Sequence, residues 1–177
     1  MTSRSTRLIP RIAIFSALIY ILSYGISFIP NVNPIFFIVF SAGFMWGVIP
    51  GFLTGMVGMG LWTFFNPYGP AQLPVMGAQV FGTALSGPIG ALCHDFLIKR
   101  NSKLIKLTCL VFSSIICTLL FYIPVNFVDA WLIQPFMARF ITGMSWSVIT
   151  LVSNILIFPL LFIALESFYI KERESVK

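Results

Sequence analysis

His94-Asp95 is the one place in this chain where neighbouring side chains hint at acid–base work. Adjacent helical residues point about 100° apart, so the two form no dyad by sequence alone. Asp95 is better placed to pair with Lys99, one turn further on. Cys93, Cys109 and Cys117 match no zinc or redox spacing. They fall within or at the edge of apolar segments, where cysteine packs as a small hydrophobe. No Gly-x-x-x-x-Gly-Lys-[Ser/Thr] loop is present, so ATP hydrolysis by that route is excluded. Without a nucleophile–base pair or a metal-ligand constellation, no catalytic residue, no metal and no cofactor is expected.

The remaining chemistry is binding by amides and indoles. Trp62, Asn66, Tyr68, Gln72 and Gln79 bracket the end of one apolar segment and the start of the next. Asn126, Asp129, Trp131 and Gln134 follow a later segment, and Arg139, Trp146 and Asn154 lead into the last. Small-ligand sites are mostly apolar with a few placed polar groups, and indoles stack on flat rings. One acid and one base among several amides suit a largely neutral, planar ligand. The leading candidates are Gln79, Trp146 and Asn154, then Asn126, with Gln72, Trp62, Asn66 and Tyr68 alongside. Each has a second role open to it. Trp62, Tyr68, Trp131 and Trp146 fit an interfacial aromatic belt. Amides at membrane depth also hydrogen-bond neighbouring helices, and Asp129 and Arg139 either stay solvated or pair.

These side chains need elements to hold them, and composition names the solvent. Of 177 residues, 58% are hydrophobic and 9% charged, against about 25% charged in a soluble domain. No Lys, Arg, Asp or Glu occurs from Ile12 to His94. Such a run builds no water-facing surface, so a bilayer is the expected surrounding, and helices satisfy the backbone there. The apolar run Ile12 to Ile29 follows Arg4, Arg7 and Arg11 as a secretory signal would. It is longer than a signal core and lacks a small-residue cleavage site, so it is read as a retained helix.

Breakers and charges divide the chain into helices at about 8–28, 34–48, 51–65, 72–98, 104–127 and 140–168, in a single membrane domain. The turn-like Pro30-Asn-Val-Asn-Pro34 closes the first, Pro50-Gly51 separates the second and third, and Pro88 kinks the fourth. The second and third together exceed one ordinary crossing of ~20 residues; split, each is short. Charge decides between the two. With six crossings, Arg4, Arg7, Arg11, Lys99, Arg100, Lys103, Lys106, Lys171, Arg173 and Lys177 share one side, and Arg139 alone is opposite. An all-α bundle of six transmembrane helices with both termini cytoplasmic is therefore expected. The net charge of +6 then serves orientation and anionic lipid, and nucleic acid is not implied.

Glycine at 43, 47, 51 and 55 recurs every fourth residue, at a cost of roughly 1 kcal/mol each relative to alanine in a soluble helix. Gly77, Gly82, Ser86 and Gly90 form a second small-residue series. Lipid supplies no hydrophobic drive between helices, so small residues are what let backbones approach or slide. On the first helix Ala13-Ile-Phe-Ser-Ala17 adds a small patch near the cytoplasmic end.

With Ala13-x-x-x-Ala17, the Gly43–Gly60 run, the outer Asn66-Pro-Tyr-Gly-Pro70, the following Gly77, Gly82, Gly87 and Gly90, and six helices in this length, the chain resembles the substrate-binding S components of energy-coupling factor (ECF) transporters. The resemblance covers nearly the whole chain, through loose motifs. It implies a prokaryotic cell-membrane protein that captures a vitamin or related micronutrient from outside. It implies docking of Ala13 and Ala17 on a shared T component driven by two ATPase subunits, and toppling in the membrane to release the ligand. It further implies a pocket in the outer halves of the last three helices, lidded by outer loops. A second reading is a structural or scaffolding protein similar to the small MreD-like proteins of the cell-shape machinery, which need no outer polar–aromatic cluster.

Overall fold

The computed structural model describes residues 2–100 and 102–175, with side chains from Leu8 to Glu174 apart from residue 101. Of the cations in the charge argument, Arg4, Arg7 and Lys177 lie outside the described side chains. The described chain is all-helical: α1 (Thr2–Gly25), α2 (Ile35–Trp46), α3 (Val48–Phe65), α4 (Leu73–Ala84), α5 (Ser86–Lys99), α6 (Lys103–Leu132) and α7 (Phe136–Ser175). Five stretches are long and apolar enough to cross a membrane, with α4 and α5 counted together. This is compatible with a helical membrane bundle.

The last helix is longer at both ends than the expected 140–168, and three other boundaries differ from the sequence expectation for a local reason. The α2–α3 break falls at Gly47 and not at Pro50-Gly51. Gly47 has φ +97°, a conformation that a residue with a Cβ adopts at a cost. Pro50 lies in the first turn of α3, where its missing N–H leaves no bond unmade. The bend expected at Pro88 appears upstream, at Leu85 between α4 and α5. Proline clashes with the carbonyl four residues back, here that of Ala84. Finally, α6 continues through Pro124 to Leu132, so Asn126, Asp129 and Trp131 are helical and not in a loop. Pro124 cannot bond the Leu120 carbonyl, and Gly82 of α4 packs against that oxygen; a Cβ at Gly82 would come within 2.8 Å of it.

The centre is α2. All ten residues from Ile35 to Phe44 are buried, as expected for a helix apolar on every side. Its phenylalanines key into the neighbours: Phe36 meets Phe121 at 5.1 Å between ring centroids, Phe37 and Phe40 each meet Phe158 at 5.3 Å, and Phe44 meets Phe162 at 5.5 Å. The glycines bring α2, α3 and α5 together backbone to backbone. A Cβ on Gly43 would lie 1.8 Å from the Gly87 carbonyl oxygen, one on Gly51 2.6 Å from the Gly43 Cα, and one on Gly90 2.0 Å from the Phe40 carbonyl oxygen. These faces are turned inward and occupied, so they offer no smooth exterior for sliding. Gly47 serves the turn, and Gly77 has nothing within 4 Å.

The chain places like with like at its two ends. Arg11 near the start of α1 pairs with Glu172 near the end of α7, and Lys106 of α6 pairs with Glu166 of α7. Lys99 and Arg100 close α5 at this same cation-rich end. The opposite end holds the connections α1–α2, α3–α4 and α6–α7, with Arg139 donating through Nε and Nη2 to Asp129 at 2.7 and 3.3 Å.

Candidate functional site

At 12 residues, α2 rises about 18 Å, well short of a ~30 Å hydrocarbon core. The space beyond its first turn is not filled. There a cavity of about 300 Å³ opens among the last turn of α1, the 26–34 connection, Trp62 of α3, Tyr68 of the α3–α4 connection and Tyr122 of α6. No charged side chain lines it.

Its walls are built by short-range hydrogen bonding. The Asn33 side-chain oxygen accepts the Ile35 N–H at 3.0 Å, starting α2. Asn31 takes the left-handed conformation, φ +60°, which asparagine tolerates better than most residues. The Asn31 carbonyl accepts from Thr150 Oγ1 at 2.8 Å. That uses the one Thr150 proton, so at 2.7 Å Tyr122 must donate to Thr150. The relay Tyr122–Thr150–Asn31 thereby fastens the 26–34 connection to α6 and α7, and leaves the Tyr122 oxygen as an acceptor. On the other wall, the Asn66 oxygen accepts the Tyr68 N–H at 2.9 Å and its amide donates to the Gly69 carbonyl at 2.9 Å. This turn carries Tyr68 across to donate to the Ser27 carbonyl at 2.6 Å. Among the described residues, the Asn31 amide and the Trp62 indole N–H have no partner within the chain. The site therefore offers donors and acceptors on an uncharged, partly aromatic surface.

Of the residues singled out from sequence, Trp62 and Tyr68 line the cavity, with Asn66 behind Tyr68. Gln79 stands one layer back, its side-chain oxygen accepting from Thr63 at 2.7 Å. Gln72 is exposed ahead of α4. Trp146 is 55% exposed on the flank of α7, away from the cavity. Asn126 donates to the Met144 sulfur at 3.4 Å and packs on Gly143. Asn154, fully buried, donates to Thr118 at 3.0 Å while its oxygen lacks a partner; it joins α6 to α7. The cavity thus lies chiefly among α1, α3 and the connections at the end opposite the cations, with only Tyr122 from the last three helices. Tyr122, Asn31, Asn33, Ser23 and Ser27 were missed. Pro30-Asn-Val-Asn-Pro34 was the available signal, two amides held between prolines.

At the cation-rich end, His94 and Asp95 diverge. Asp95 bonds Lys99 at 2.8 Å. His94 Nδ1 lies 2.6 Å from the Phe44 carbonyl, which only accepts, so Nδ1 donates to it, and Nε2 lies 3.3 Å from the Tyr169 hydroxyl. The ring ties α2, α5 and α7 together. Trp46 does similar work: its indole donates to Glu172 at 3.3 Å, and the Arg11 guanidinium stands 5.3 Å over its ring. On α1, Ala13 and Ala17 are exposed with Ile9, Ile14 and Ile21, whereas Ser16 and Ile19 face inward. Compared with protein-family models, curated proteins and solved structures, the chain finds no match in any of the three.

Proposed function

We propose that this chain is the substrate-capture subunit of an ECF-type uptake system in a prokaryotic cell membrane. Six crossings, α4 and α5 forming one, place both termini and the cation-rich end in the cytoplasm. The cavity then opens outward and receives a neutral, hydrogen-bonding, vitamin-like molecule against Trp62, Tyr68, Tyr122 and Asn31. Delivery inward follows docking of the exposed Ala13–Ala17 stripe on a T component powered by two ATPase subunits. The observation that carries this reading is the uncharged, hydrogen-bonding cavity at the end remote from the cations.

One observation favours the scaffolding alternative: Gln79, Asn126 and Asn154 are engaged with other side chains of the chain itself. Mass spectrometry of detergent-purified protein, denatured to release bound molecules, separates the two. A reproducible small planar species, lost in a Trp62→Ala variant, supports capture. An empty site across several preparations overturns it in favour of a scaffold.

A further inference from the structure

We propose that the groove between α5 and α6 at the cation-rich end binds an anionic phospholipid, its phosphate held by Arg100 and Lys103 and one acyl chain laid in the groove. The site is remote from the cavity and does not depend on what the cavity binds. Consecutive helices usually pack together, yet α5 lies mainly on α2 and α3, and α6 mainly on α7 and α4. Between them remains an open groove of about 590 Å³, walled by Leu92, Phe96, Leu104, Ile105, Cys109 and Phe112. From Leu104 to Phe112 it runs about 12 Å along the helix, most of the ~15 Å depth of one leaflet's hydrocarbon.

The mouth gives the occupant its charge. Leu92 and Phe96 also wall a second depression of about 450 Å³, which is completed by Asp95, Lys99 and Arg100. The groove therefore runs without interruption into a polar rim. Asp95 and Lys99 neutralise one another at 2.8 Å. Arg100 stands 5.7 Å over the Phe96 ring, directly above the groove wall. Lys103, the first residue of α6, is exposed and has no ion-pair partner among the described residues. Arg100 therefore stands unmatched at the rim, and Lys103 adjoins Leu104 of the groove wall, giving two cations beside an apolar slot. An anionic headgroup with an acyl tail satisfies both parts. Soluble phosphate leaves the slot empty, and a zwitterionic lipid leaves the cations uncompensated. Each cation near a membrane surface attracts anionic lipid by about a further fivefold.

Native mass spectrometry of the detergent-purified chain, titrated separately with dioleoyl phosphatidylglycerol, dioleoyl phosphatidylcholine and inorganic phosphate, tests this. The phosphatidylglycerol adduct should be retained about tenfold better than phosphatidylcholine, and phosphate alone should not bind. The double variant R100Q/K103Q, altered only at exposed side chains, should erase the preference. Thr108→Trp, which fills the groove, should displace the lipid. Equal retention of the two lipids, a preference surviving R100Q/K103Q, or binding of phosphate alone would overturn the proposal. So would a dimer that excludes lipid, which would assign the groove to a second copy of the chain. Should Thr108→Trp fail to fold, the charge variant decides alone.

Discussion

The two halves of the molecule solve the same packing problem in opposite ways. Toward the cation-rich end, α2, α3 and α5 meet backbone to backbone through Gly43, Gly51, Gly87 and Gly90, leaving no room for a single Cβ. Toward the other end, where α2 begins only at Ile35, a hole of about 300 Å³ remains among the last turn of α1, the 26–34 connection, Trp62 of α3 and Tyr122 of α6. Without a hydrophobic drive between helices in lipid, close contact is where a bundle gains its cohesion. A tight half can therefore hold the fold while a loose half keeps a cavity open. In the tight half His94 and Trp46 bond across helices, although the buried Ser86 hydroxyl beside Gly87 has no partner; in the loose half the Asn31 amide and the Trp62 indole N–H are without a partner among the described residues.

The strongest way to break this contrast is at its tightest point. Gly87→Ala would place a Cβ 2.3 Å from the Gly51 carbonyl carbon, a clash with backbone that no rotamer relieves. Overpacking typically costs about 1–3 kcal/mol and occasionally more, and a clash with backbone belongs at the upper end of that range. The variant should lose its monodisperse gel-filtration peak or melt well below wild type. A wild-type melting curve would mean that the halves do not differ as described.

The second test is functional. Ala17→Trp enlarges the exposed stripe on α1 without touching the cavity, and Ala13→Trp does the same nearer the N-terminus. Under the proposed function each should abolish coupled uptake of the ligand while leaving its binding to the purified subunit within about twofold of wild type. Unchanged uptake would remove the docking role from α1. The third test is smaller and falls in the loose half. Tyr122→Phe removes the hydroxyl oxygen left free to accept from a ligand, a hydrogen bond of about 0.5–1.5 kcal/mol, together with the donor to Thr150. Ligand affinity measured by calorimetry should drop by about two- to tenfold, with a loss of stability no larger than one hydrogen bond explains. A large loss of stability without loss of affinity would show that Tyr122 is only a strut.

How far the sequence reveals this division depends on the feature. The uncharged stretch from Ile12 to His94 made the apolar helices legible, because charge is expensive in lipid whatever the fold. The small-residue series also announced close packing, though not its partners. Proline was the misleading signal. At 50 it opens a helix, and at 88 its effect appears three residues upstream; sequence alone does not distinguish these contexts. The site was less legible still. Gln79 and Asn154 stand out because amides at depth are costly to desolvate, but Thr63 and Thr118 of the chain itself offset part of that cost, leaving the Asn154 oxygen without a partner. Trp62 and Tyr68 were found through their side-chain type. Asn31 and Asn33 escaped notice because polar residues between prolines look like any solvated turn. Their role depends on α2 being too short to close the space beneath them.

The smallest expected effect sharpens the contrast from the opposite side. Gly77 sits on α4, in the loose half, and nothing approaches within 4 Å of a Cβ built there. If glycine is retained in this bundle only where backbones touch, Gly77 has no packing reason to be glycine and simply weakens its helix. Gly77→Ala should then raise the midpoint of thermal unfolding slightly, by the equivalent of up to about 1 kcal/mol, the propensity difference between the two residues. Paired with Gly87→Ala, the same chemical change gives opposite signs at two positions of one segment. That sign reversal is hard to obtain from a general intolerance of side chains in these helices. A Gly77→Ala protein that is clearly less stable than wild type would mean that α4 meets something here, and the half with the cavity would then be held by a contact outside the chain.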